Sequence, residues 1–150
     1  MTIINMKIKL LFAILISSLL GCSTLNTVLK EKEKGNGKRV VYNIQFEDAW
    51  LISKSSFRWA GCDAIEEHKS DGYMLTSKGK DILTSGAVMG AWIESISTDK
   101  MAITVISKRR NSLDLFTGMT EDKYHKYFKT GMDILNNGKE LPLVAPKISE

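Results

Sequence analysis

The side chains able to carry chemistry are few and scattered. The chain holds two histidines and two cysteines, His68, His125, Cys22 and Cys62. A zinc site needs His, Cys or carboxylate ligands at short spacings, and neither histidine has them, so no metal is expected. Glu66 and Glu67 are the obvious pair of carboxylates, the group that general acid–base hydrolysis uses. Neighbours in a strand point to opposite faces, however, so these two cannot flank one substrate bond. Ser53, Ser55 and Ser56 fall on a helix without a base at any recognisable spacing. G-x-S-x-G, a Walker loop and H-E-x-x-H are missing from the sequence, and no cofactor is implied. A hydrolase would need a site assembled from distant residues.

Two further features offer contact instead of catalysis. Ile52 and Trp59 are seven residues apart on one helix, on a side turned away from the stripe that holds Trp50 and Phe57. They mark a second apolar patch that meets a partner, is covered by Leu141, Leu143 and Val144 of the tail, or belongs to a helix buried more widely than one stripe. Lys108, Arg109 and Arg110 leave the last strand together, as a solvated loop end or as a contact for an anionic surface. His68 borders a turn and is expected at the surface, and His125 borders an apolar helical stripe.

The elements that must position these residues follow from periodicity. Val40, Tyr42, Ile44 and Phe46 alternate with Val41, Asn43 and Gln45, the period of a half-buried strand. From Phe46 to Ala60 the apolar residues shift to helical spacing, and Gly61 is suited to close the helix. "CDAIEEH" and "YMLTS" read as a hairpin around Ser70, Asp71 and Gly72. Met89 to Ser97 and Met101 to Ser107 read as a second hairpin around Thr98, Asp99 and Lys100. In that last strand Met101, Ile103 and Val105 give one richly apolar face, while Ala102, Thr104 and Ile106 leave the other only partly polar. Thr120, Glu121 and Asp122 start a second helix with Tyr124, Tyr127, Phe128, Gly131 and Leu135 on one side. The expected fold is an α+β two-layer sandwich of order β-α-β-β-β-β-α, with two helices on one face of an antiparallel sheet of four or five strands.

At 150 residues the chain suits one domain. Its apolar fraction of 43% and charged fraction of 25% exclude wholesale disorder and a multi-span membrane protein. The net charge of +4 is partly local: without residues 1–21, which carry Lys7 and Lys9 and no acid, 19 basic residues face 17 acidic ones. That leaves +2, no case for a nucleic-acid partner. Lys7 and Lys9 precede "LLFAILISSLL", an apolar run of about a dozen residues, too short for the roughly 20 that span a bilayer. This is the pattern of an export signal.

Leu19, Leu20, Gly21 and Cys22 follow, and here the chain resembles bacterial lipoprotein precursors, whose lipobox ends in the cysteine that is lipidated. The resemblance implies cleavage before Cys22, a diacylglyceryl thioether on its sulfur and an N-acyl chain such as palmitate. Ser23 in place of Asp at the next position implies, by the same resemblance, export to a Gram-negative outer membrane. The architecture is similar to helix-over-sheet modules of small envelope lipoproteins. Residues 22–38 then read as a lipidated start and flexible tether, with a short helical turn through Leu25, Val28 and Leu29 as the alternative, 39–138 as the domain and 139–150 as an extended tail. With Cys22 taken by lipid, Cys62 has no partner in the chain and reads as a buried structural thiol. The function expected is a lipid-anchored, non-enzymatic envelope module that binds a protein or cell-wall partner. A small envelope hydrolase and an inhibitor or immunity-type protein using the Ile52–Trp59 patch are the alternatives.

Overall fold

The computed structural model describes residues 24–62, 64–79, 86–110 and 120–148. Its elements in chain order are α1 (Leu25–Glu33), β1 (Lys38–Asn43), α2 (Phe46–Trp59), β2 (Ala64–His68), β3 (Tyr73–Lys78), β4 (Ala87–Ser97), β5 (Lys100–Arg109) and α3 (Glu121–Asn136). Residues 1–21, expected as an export signal, and Cys22 lie outside the described residues. From β1 onwards the order is the expected β-α-β-β-β-β-α, and the class is α+β.

The five strands form one antiparallel sheet in the order β1-β5-β4-β3-β2. Each hairpin-linked pair is adjacent, and β1 returns to flank β5, with Lys38 opposite Val105 and Asn43 opposite Lys100. This pairing draws Lys38 and Arg39 into β1, two residues ahead of the expected start, and the strand ends where Gln45 becomes the N-cap of α2. Likewise Ala87 pairs with Arg109, so β5 continues through Lys108 and Arg109, where a loop was expected.

Helices α2 and α3 lie on one face. Ala49, Trp50 and Phe57 from α2 and Tyr124, Tyr127 and Phe128 from α3 form one cluster with Met74, Met89, Ala91, Ile93, Met101, Ile103 and Val105 of the strands. Helix α2 stops because Gly61 adopts φ +85, a conformation that L side chains resist. The Gly61 N–H then donates to Arg58 O at 2.9 Å and the Cys62 N–H to Phe57 O at 3.0 Å, the paired bonds of a Schellman end. Helices α1 and α3 close in the same manner at Gly35 and Gly138. Cys62 is thereby turned into the core beside Phe57, the buried position expected of it.

The flexible tether expected over 22–38 needs correction where it is described. Residues 25–33 are α1, and it lies on the opposite face of the sheet from α2 and α3. Val28 is fully buried in a second cluster with Leu75, Val88, Trp92 and Ile106, flanked by Leu25, Leu29 and Tyr73. The cause is the side of the sheet that reads as only partly polar: Ala102, Thr104 and Ile106 are all buried. An apolar second face needs cover, and Leu25, Val28 and Leu29, at helical spacing, supply it.

Packing is close where α2 crosses α3. A Cβ on Gly131 would stand 2.7 Å from Ile52 Cγ2, inside any ordinary contact. Gly131→Val is therefore expected to destabilise the domain by about 1–3 kcal/mol through overpacking. A lowered midpoint in chemical denaturation is the expected reading; an unchanged one would mean that the helices part there freely.

Candidate functional site

Several of the residues singled out above do not form a site. Ile52 is fully buried against Gly131, and Trp59 is buried on Tyr127 with its indole Nε1–H donating to Pro142 O at 2.8 Å. The second apolar side of α2 thus faces α3 and the tail, and it is not a partner surface. The reason is geometric: α2 must touch both the sheet and a neighbouring helix, so its buried stripe is wider than one face. The apolar side chain that α2 shows to solvent is Leu51, 53% exposed. It lies in a groove of about 360 Å³ with Leu135, Leu141, Lys54 and Arg58.

The basic run is also committed to the fold. Lys108 forms an ion pair of 2.9 Å with Glu31 of α1. The Arg110 N–H donates to Gly86 O at 3.0 Å, and its Nε is buried. Arg109 is exposed at the end of β5 and opposite Ala87. Three residues expected as one free cluster therefore point to different tasks, as alternation along a strand requires.

Glu66 and Glu67 diverge as their spacing implies. Glu66 meets His68 Nε2 at 2.6 Å, while Glu67 accepts from the Trp50 indole at 3.0 Å and pairs with Lys54. Lys54 and the indole hold the Glu67 carboxyl below the usual carboxylate range, against a smaller opposing effect of burial. His68 is half-buried, stacked on Tyr73 with ring centroids 4.4 Å apart.

The feature that does gather functional groups is a cleft of about 450 Å³ between β1 and α3. Alternation along β1 turns Lys38, Val40 and Tyr42 toward α3, and helical spacing turns Asp122, His125, Lys126 and Lys129 toward β1. At its base the Tyr42 hydroxyl lies 2.8 Å from His125 Nδ1, and His125 Nε2 lies 3.1 Å from Lys38 O. A carbonyl oxygen can only accept, so Nε2 carries the hydrogen and Nδ1 accepts from the Tyr42 hydroxyl. Burial pushes the imidazole below its ordinary value and pushes the Tyr42 hydroxyl up to about 12. Tyr42 also packs on Phe128, centroids 4.5 Å apart.

This pair can be tested as a catalytic dyad on its chemistry. A general base needs a lone pair facing substrate, and both nitrogens of His125 are already engaged, one by a hydroxyl and one by the backbone. The arrangement clips an edge strand to a helix. Above it the cleft is basic: Lys38 pairs with Asp122, which holds that carboxyl low, while Lys126 and Lys129 stay exposed. Three lysines against one aspartate favour an acidic ligand. β1 is also an edge strand, with its outer side unpaired by any described strand. Sequence placed His125 at a stripe border, but nothing in it linked that residue to Tyr42, 83 positions away.

No protein-family model and no curated protein sequence matches the chain. Among the described residues no helix is long and apolar enough to cross a membrane, and no three His, Cys, Asp or Glu side chains converge as metal ligands.

The buried imidazole carries a pH dependence. The folded chain holds His125 below the unperturbed 6.5, so as pH falls from there the unfolded chain takes up a proton that the folded one refuses. Stability should be level above that value and decline below it, down to the folded pKa. His125→Gln should remove this slope between about pH 5 and 7, where the carboxylates contribute little. The check is the denaturation midpoint at several pH values; parallel profiles for the two proteins would disprove the assignment.

Proposed function

We propose that the chain is a lipoprotein of the bacterial envelope, anchored by lipid on Cys22, that acts as a non-enzymatic binding module. The observation that carries the anchor is the ordered run of basic start, apolar core and Leu19-Leu20-Gly21-Cys22. The observation that supports binding is the basic cleft beside an edge strand, which suits an acidic segment of an envelope protein or an acidic cell-wall polymer. An extended peptide there would gain backbone hydrogen bonds from β1 and charge pairing from Lys126 and Lys129. Ser23 after the cysteine supports an outer-membrane destination, with the domain facing the periplasm. Attachment to a surface raises the effective concentration of the module for anything else held there.

Fatty-acid labelling of the native protein and of Cys22→Ser tests the anchor. Labelling is expected to vanish in the variant, and equal labelling would remove the lipid from the reading. For the cleft, Lys126→Glu combined with Lys129→Glu reverses charge at two exposed positions. Crosslinking in intact cells should lose its attached partner in this variant while thermal unfolding stays within a few degrees. Retention of the same partner would remove the cleft as its site.

A further inference from the structure

We propose that α1 couples the lipidated end of the chain rigidly to the folded domain, so that the bilayer receives one end of the molecule in a fixed orientation and the β1–α3 cleft points away from it. This rests on the acylation of Cys22 proposed above. Cys22 stands two residues before Thr24, the N-cap of α1, and two residues reach at most about 7 Å. Were residues 23–38 a free coil, the separation of domain and lipid would be roughly 20 to 25 Å, with unrestricted rotation.

The helix that replaces that coil is held from several sides. Thr24 N–H donates to Thr27 Oγ1 at 3.1 Å and starts the first turn. Val28 is sealed in the second cluster. Glu31 accepts from Lys34 at 2.9 Å and Asn36 at 2.8 Å, and it pairs with Lys108 of β5 at 2.9 Å. Lys32 pairs with Glu94 of β4 at 2.6 Å and sits 5.6 Å above the Trp92 ring. Single exposed ion pairs contribute little, but here they surround a buried apolar contact.

Orientation follows from where α1 begins and ends. The chain leaving it passes directly over β5, because a Cβ on Gly37 would meet Ile106 Cγ1 at 2.6 Å and Val105 O at 2.8 Å. Its last turn therefore lies over β5 and β4, where Glu31 pairs with Lys108 and Lys32 with Glu94, and its contacts with β3, the next strand beyond β4, belong to its start. The start of α1 thus lies toward β3 on the α1 face, and Cys22 follows within the reach of two residues. The cleft lies at the opposite edge, on the α3 face, about two layer spacings or roughly 20 Å through the fold. A ligand of the cleft thus comes from the aqueous side and not from the headgroups of the anchoring leaflet.

The experiment uses the full acylated protein in vesicles of phosphatidylethanolamine and phosphatidylglycerol. A single nitroxide is placed at Ala64→Cys, on the α1 face of β2, or at Lys129→Cys, on α3; Cys62 is buried and Cys22 carries lipid. Collision with a bilayer-confined relaxant is expected to be several-fold greater at Ala64 than at Lys129. Sixteen Gly and Ser residues inserted between Ser23 and Thr24 should make the two sites alike, and Val28→Asp should act in the same direction by releasing α1. Equal accessibility at both sites in the native chain overturns the inference. Mass spectrometry separates the causes: an acylated chain with equal sites leaves the anchor standing and removes only the fixed orientation, whereas an unmodified Cys22 removes both.

Discussion

The constraint on which this structure depends is that β4 and β5 are apolar on both faces. Ile103 and Val105 look to one side, Ala102 and Ile106 to the other, and all are withdrawn from water. A sheet of this kind cannot leave a face wet, since each exposed apolar side chain would forfeit on the order of 1.5–3 kcal/mol. Helices α2 and α3 take one face and α1 takes the other. The position of every group in the cleft follows from that division, because α3 can reach β1 only from its own side.

Much of this plan is legible in the residues. The run of apolar and β-branched residues from Met101 to Ile106 and the helical spacing from Phe46 to Ala60 carry the hairpins, the helices and their order, because local sequence and burial agree there. The sharp helix end at Gly61 is equally visible. The misreadings arise where tertiary demands override local appearance. Leu25, Val28 and Leu29 sit among lysines and glutamates and look like part of a tether, yet the half-apolar face of β5 already signals that something must cover it. Ile52 and Trp59 look surplus to one helix stripe, because a stripe drawn against a sheet alone omits the second helix that Gly131 lets in.

The cleft shows a different limit. Its members come from a strand and a helix distant in sequence, so no spacing rule unites them. Tyr42 and His125 become a unit only once β1 is paired to β5 and α3 is laid across it. Even then the chemistry is conservative: the hydroxyl and the imidazole satisfy each other and a backbone carbonyl, which fixes the helix against an edge that would otherwise fray. What remains available for recognition is the outer rim, where Lys126 and Lys129 stand in water above that fixed base.

The short stretch after α3 gives the domain a vulnerable seam. Pro142 supplies the acceptor for the Trp59 indole, and Leu141 and Ile148 pack on the core from a segment without regular structure. Leu143 and Val144 beside them are almost fully exposed, at 89% and 80%. An exopeptidase or a nick at that point would strip the cover from the α2–α3 junction, leaving an indole with no acceptor and a greasy furrow open to neighbouring molecules. Clumping of aged or clipped material would then begin at this seam.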